Sequence, residues 1–262
     1  MLLTSLARSL KNLALYALDF FLPCLCLFCG APVGPGSPAA VCGECEARIP
    51  RVESPVCPRC GRLFLLREGR DRLCGACLRE PPPFVAARAA VVYEEEGPGG
   101  QAVKRLKYAR QLEYLPVLAH WLSEPACQEF ARAADLILPV PLHRRRLKER
   151  GFNQALWLAR TLPGPVAPDT LVRTRHTRPQ TGLDPRARRE NVRGAFAVVR
   201  PREVEGKRVL LVDDVYTTGA TVRECSRALL AAGAREVRVL TATRVAPRGW
   251  GATPQPSDLS AQ

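Results

Sequence analysis

The sequence predicts an α/β domain, an open parallel sheet flanked by helices, preceded by a small cysteine-rich module. Three observations carry this expectation. Apolar runs of strand length at 86–93, 136–140, 208–213 and 236–244 alternate with helical patterns near 98–122, 152–162 and 219–232, and such alternation builds parallel sheets. Eight of the eleven cysteines form four C-x-x-C pairs, all before residue 80. Pro81-Pro82-Pro83 then separates this part from the first strand. At 262 residues and 47% hydrophobic content, the chain can bury one substantial core or two unequal ones.

Taken in order, residues 1–22 place Leu3, Leu6, Leu10, Leu13, Ala17 and Phe21 at helical spacing, with Arg8, Lys11 and Asp19 on the other face. This pattern predicts an amphipathic helix packed on the core. It is neither a membrane span nor a signal peptide, so a cytoplasmic location is expected. Residues 23–80 hold the pairs Cys26/Cys29, Cys42/Cys45, Cys57/Cys60 and Cys74/Cys77. Each C-x-x-C offers two thiolates from one tight turn to a tetrahedral metal, so eight ligands predict two structural zinc sites, as in a double zinc ribbon. The first two pairs can share one ion and the last two the other, or the pairing can cross. Cys24 is a spare thiol, and Cys127 and Cys225 are expected to be buried. The α/β domain spans 84–246, and the Pro-, Gly-, Ser- and Gln-containing stretch 247–262 is expected to be a disordered tail.

The densest chemistry lies at 209–221. Val209 to Val212 form an apolar run suited to a central strand, Asp213 and Asp214 follow, and Thr217, Thr218, Gly219, Ala220 and Thr221 lead into an alanine-rich helix. Unpaired N–H groups at the start of that helix can cradle a phosphate, and Gly219 lets the backbone approach it. The acids are read as lying at the end of the strand, where they serve no packing purpose. There they can hold the vicinal hydroxyls of a ribose, directly or through magnesium.

Basic residues cluster elsewhere. His143 to Gly151, carrying Arg144, Arg145, Arg146, Lys148 and Arg150, leaves a strand edge as a basic loop that can face the acid pair across one crevice. Lys104, Arg105 and Lys107 with Tyr108 make a basic helical patch. Seven arginines crowd 173–193, among them Arg173, Arg175, Arg178, Arg188 and Arg189. Guanidinium forks suit phosphates and stack on unpaired bases, so this stretch can serve as a flap over a phosphorylated ligand or as a single-stranded DNA track. A net charge of +14 points to an anionic partner, and two zinc ions on eight thiolates would lower it by only about four.

The 209–221 segment resembles the phosphoribosyl-pyrophosphate (PRPP) signature of the type I phosphoribosyltransferases. Pro139-Val140-Pro141-Leu142-His143, Arg150-Gly151-Phe152-Asn153-Gln154, and Gln180 with Leu183, Arg189, Asn191 and Phe196, behind the cysteine pairs, resemble the ComF family of competence proteins over about residues 20–245. The resemblance implies a type I phosphoribosyltransferase-like fold that binds PRPP with magnesium. Asp213 and Asp214 would be its catalytic acids. Arg144, Arg145 and Arg150, with Lys104, would stand on the pyrophosphate side. It also implies single-stranded DNA as a partner during DNA uptake.

Three functions fit the sequence: an active transferase of nucleotide salvage whose acceptor is not legible, a PRPP- and DNA-binding protein of competence, and a zinc-ribbon docking protein for a partner such as the uptake helicase. Transfer from PRPP needs positioning and electrostatics rather than a nucleophilic side chain, so the lack of a Ser/His or Cys/His constellation excludes none of them.

Overall fold

In the computed structural model the described residues are 24–34, 37, 39–177, 184–247 and 249–250. The helix expected at 1–22, Arg178 with Gln180 and Leu183, and nearly all of the tail lie outside them.

Six strands are described: β1 (Ala86–Tyr93), β2 (Leu136–Pro139), β3 (Leu171–Arg173), β4 (Phe196–Val198), β5 (Arg208–Tyr216) and β6 (Glu236–Val245). Four of them form an all-parallel sheet in the order β1-β6-β5-β2, and β3 and β4 pair antiparallel apart from it. The helices are α1 (Gly43–Ala47), α2 (Gly75–Arg79), α3 (Pro98–Tyr108), α4 (Tyr114–Leu122), α5 (Pro125–Arg132), α6 (Arg144–Arg150), α7 (Gln154–Ala159), α8 (Pro185–Val192) and α9 (Ala220–Ala231).

Side chains of β5 alternate between two cores, as the two-residue strand period requires. Leu210 and Val212 join Ile137, Leu118, Trp121 and Leu240 on one face, while Val209 and Leu211 join Leu138, Val239, Cys225 and Leu229 on the other. A strand covered on both sides reads as a continuous apolar run, which is why 209–212 is legible. The cysteine pairs divide along the same line. Cys26 and Cys45 pack into the first core, and Cys57, Cys60, Cys74 and Cys77 into the second. The link between them pairs with the outer edge of β1, where Val52 N–H donates to Ala90 O (2.9 Å) and Val92 N–H to Pro50 O (2.8 Å). The β1 edge of the sheet is thereby covered by the cysteine-rich part itself.

Several expectations change. The single helix expected at 98–122 is two, broken where Arg110 takes φ 56°. The break lets Val117, Leu118, Trp121 and Leu122 turn into the core while the lysines of α3 stay half-buried. The basic loop at 143–151 is the helix α6. Its Arg, Leu, Lys and Glu residues are good helix formers. His143 Nδ1 accepts from Arg145 N (3.3 Å) at one end, and Gly151 at φ +85° closes the other. The arginine-rich stretch contains the β3–β4 pair and α8, whose N-cap Asp184 accepts from the N–H groups of Arg186 and Ala187. The strand expected to stop at Asp213 runs on to Tyr216.

Candidate ribose-phosphate cleft

β5 delivers the chain into the turn Thr217-Thr218-Gly219, and α9 begins at Ala220. Gly219 has φ +74°, and a Cβ added there would lie 2.2 Å from the Tyr216 hydroxyl oxygen. No other residue fits this turn without strain. Ala220 N–H is served by Thr218 Oγ1 at 3.4 Å, and the remaining amides at the head of α9 have no side-chain cap from Gly219. The turn therefore presents N–H groups and threonine hydroxyls at the positive end of a helix dipole.

The two acids are not equivalent. Asp214 is 1% exposed, with Lys107 Nζ 2.6 Å from its Oδ2 and Gln154 Nε2 3.4 Å from its Oδ1. Asp213 is half-buried, and its Oδ1 accepts the Asp214 N–H at 2.9 Å. Burial and the adjacent Asp214 charge push the Asp213 carboxyl well above the usual carboxylate range. Burial also opposes charge on Asp214. The Lys107 ammonium, with hydrogen bonds from Asp213, Lys107 and Gln154, overcomes it and holds Asp214 below its ordinary value. Asp214 thus has the structural use that the sequence reading denied it: it receives α3 and α7 on the sheet.

These groups open on a cleft of about 700 Å³. Asp213, Asp214 and Thr217 to Thr221 line one side, with Lys104, Lys107, Arg110, Arg146, Arg150, Arg173 and Arg188 around them. Arg150 donates to Gln154 Oε1 at 2.8 Å, which ties α6 to the residue that also touches Asp214. Lys104 meets Glu95 (3.3 Å) and Glu96 (3.4 Å) at the rim. Arg144 and Arg145 are exposed and do not line the cleft. The helix explains this, since residues four apart share a face and the cleft takes Arg146 and Arg150.

Of the arginines expected on nucleic acid, Arg173 and Arg188 line the cleft. Arg173 also donates to Thr177 Oγ1 and lies over the Phe196 ring at 5.4 Å. Arg175 donates to the carbonyls of Asn191 and Arg193, and Arg189 is exposed outside the cleft. Nothing in the sequence marks Lys107 and Gln154 as partners of the acids. Their meeting with Asp214 spans 107 and 60 residues of chain, and no local pattern encodes it.

The ribbon cysteines settle into sequential groups, Cys26/Cys29/Cys42/Cys45 and Cys57/Cys60/Cys74/Cys77, each with its sulfurs within 4.8 Å of one another. Tetrahedral zinc with Zn–S bonds of about 2.3 Å separates sulfurs by about 3.8 Å. Cys29 and Cys42 sulfurs stand 3.6 Å apart, and Cys60 and Cys74 sulfurs 3.7 Å apart. Cys26 Sγ accepts from Cys42 N and Cys57 Sγ from Cys74 N, both at 3.4 Å. Burial opposes ionisation of Cys57, yet N–H groups of Cys60, Cys74 and Arg59 bring its thiol down to about 7. Both groups fit zinc. Cys127 and Cys225 are buried, and burial raises both thiols, Cys127 to about 11. Cys24 is exposed.

Fold and site together define a phosphoribosyltransferase-type α/β domain joined to two four-cysteine ribbons. Comparison with known proteins agrees: residues 17–78 match the double zinc ribbon domain family, and residues 148–249 match the phosphoribosyl transferase domain family. The DNA utilization protein YhgH of Escherichia coli K12 is 34% identical over 226 residues, covering 83% of this chain and 95% of that protein. Competence protein F of Haemophilus influenzae is 32% identical over 209 residues, covering 76% and 88%. Competence protein ComFC of Bacillus subtilis is 25% identical over 201 residues, covering 74% and 79%. The chain belongs to the ComF family. Among the described residues, no helix is long and apolar enough to cross a membrane.

Proposed function

We propose that the cleft binds PRPP with magnesium and that its cationic walls hold single-stranded DNA during DNA uptake in competence. The observation that supports this reading best is the placement of the Gly219 turn and the head of α9 beside Asp213, in a cleft with seven cationic and four acidic side chains. Thr217, Thr218, Gly219, Ala220 and Thr221 would take the 5′-phosphate, and Asp213 would hold the ribose diol. Lys104, Arg146 and Arg150 would face the pyrophosphate. Magnesium takes one or two carboxylates and fills its remaining positions with phosphate oxygens and water. Lys107 already occupies Asp214 Oδ2, so the ion would rest on the pyrophosphate oxygens and on Asp213, displacing the proton that burial and the Asp214 charge favour there. Bound there, it would neutralise the departing charge.

The curated relatives carry the names DNA utilization protein and competence protein, which favours the DNA-handling reading over nucleotide salvage. Binding of the strand would use the arginines that line the cleft, Arg146, Arg173 and Arg188, with Arg189 outside it. Titration of PRPP and magnesium into zinc-loaded protein tests the ligand. Wild type should bind, and Asp213→Asn should weaken binding by about tenfold or more, since a hydrogen bond to a charged group contributes about 1.5–3 kcal/mol. Asp213 is the right target because Asp214 also anchors Lys107. Equal affinity in the two proteins would remove Asp213 from the site, and no binding by folded wild type would remove PRPP.

A further inference from the structure

Arg244, on β6, is 6% exposed, and among the described residues it takes part in no ion pair with a carboxylate. Its guanidinium donates to Cys60 O at 2.7 Å, and Nη2 stands 3.9 Å from Cys60 Sγ. Its Nε is buried without a hydrogen-bond partner. A buried cation requires an anion nearby. Four thiolates around one zinc ion carry a net charge of about −2, so the second four-cysteine group, loaded with metal, is that anion. Among the described residues, the hydrogen bonds to sulfurs of the first group come from backbone N–H groups and a neighbouring thiol rather than from a guanidinium, and its Cys29 is exposed.

On its other side the Arg244 guanidinium lies 4.1 Å from the centre of the Tyr216 ring. Tyr216 is the residue against which Gly219 is pressed, and Phe84 meets the same ring edge-on at 6.4 Å. The second ribbon is itself fixed to the sheet, because Ala87 N–H donates to Arg59 O at 2.8 Å and a Cβ on Gly61 would lie 2.6 Å from Ala87 O. A line of direct contacts therefore runs from Cys60 through Arg244 and Tyr216 to the turn that heads α9. The first ribbon touches α4 instead, through Tyr114 Oη donating to Leu27 O at 2.8 Å and the edge-on contact of Phe28 with Tyr114.

We propose that the metal of the second ribbon and the Thr217–Thr221 turn are coupled through Arg244 and Tyr216, with Arg244 as a positioning residue for the turn. The inference depends on the reading above only in assigning that turn to a phosphate. The first ribbon is outside this coupling.

The test uses the full chain loaded with zinc and no phosphate ligand, so failure of PRPP to bind leaves it readable. Two quantities are followed: zinc release to a chromogenic chelator, and amide hydrogen exchange at 223–226, the first hydrogen-bonded amides of α9, where Arg223 N–H donates to Gly219 O at 2.9 Å, with 117–122 in the core of α4 reporting global folding. Wild type should release two zinc ions in two phases, the slower from the second ribbon. In Arg244→Met the slow phase should quicken by about tenfold or more, since losing an outer partner of a metal ligand costs affinity on that scale. Exchange at 223–226 should rise in the same variant while 117–122 stays protected. Arg244→Lys keeps the charge, should restore much of both properties, and stands in if the Met variant fails to fold. A slow phase that matches wild type, or exchange at 223–226 that does, would overturn the coupling.

Discussion

Lys107→Met breaks the buried ion pair of the cleft. The lysine side chain is 18% exposed and the Asp214 side chain 1%, and their charged atoms are 2.6 Å apart. Removing one member of a buried pair leaves the other charge uncompensated and costs about 3–5 kcal/mol. For a chain of this size each kcal/mol moves Tm by about 2–4 °C, so the midpoint should fall by about 6–20 °C. The pH dependence carries the sign. In wild type the folded pKa of Asp214 lies below its ordinary value of about 3.9. The stability it contributes is therefore present above that ordinary value and lost only as pH falls through the depressed one. Without Lys107, only the hydrogen bonds from Asp213 and Gln154 oppose burial, and the folded pKa should rise above the ordinary value. The native state then binds a proton that the unfolded chain lacks, and stability grows as pH falls toward about 4. Asp213 adds the same kind of slope in both proteins, so the informative quantity is the difference between them. Calorimetric melting at pH near about 7.5 and about 5.5 should show the deficit of Lys107→Met shrinking at the lower pH. Lys107→Met/Asp214→Asn should recover most of the loss, because no buried charge is left alone. A variant within about 2 °C of wild type at both pH values would refute the reasoning.

Two further outcomes are expected. Gly219→Ala must hold a non-glycine residue at φ +74° and displace the buried Tyr216 ring. It should lose at least about 1–2 kcal/mol of stability in a melting experiment and bind PRPP far more weakly than wild type. Single-stranded DNA binding should weaken with salt, with a log–log slope of about −0.7 for each phosphate neutralised, and Arg146→Ala should make that slope shallower by about one such step. A flat salt response in fluorescence anisotropy would remove the DNA reading.

The parts of the cleft written in one stretch of chain were legible in the sequence. The apolar run 209–212, the acids and the Thr/Gly turn are contiguous, and their burial and helix-start chemistry follow from local pattern. Cysteine spacing likewise predicted two ribbons, while their sequential grouping needed coordinates because either pairing satisfies the same intervals. Contacts over long sequence distance were not legible. Asp214 looked like a free strand-end acid because Lys107 comes from α3 and Gln154 from α7. The stretch 144–150 looked like a loop because its charge hid a good helix with a cap at each end, and that helix decides which arginines reach the cleft. Arg244 gave no signal at all, since its partners are a cysteine 184 residues away and a tyrosine on the neighbouring strand.

The central claim is that one cleft reads a phosphate through the Gly219 turn and a sugar diol through Asp213. Calorimetric titration of ribose 5-phosphate and 2-deoxyribose 5-phosphate into the zinc-loaded protein tests it most directly, because the two ligands differ by one hydroxyl. The account predicts binding of both with a preference of about tenfold or more for the ribose form, and loss of that preference in Asp213→Asn. Equal affinity for the two sugars, or a preference that survives Asp213→Asn, would contradict it.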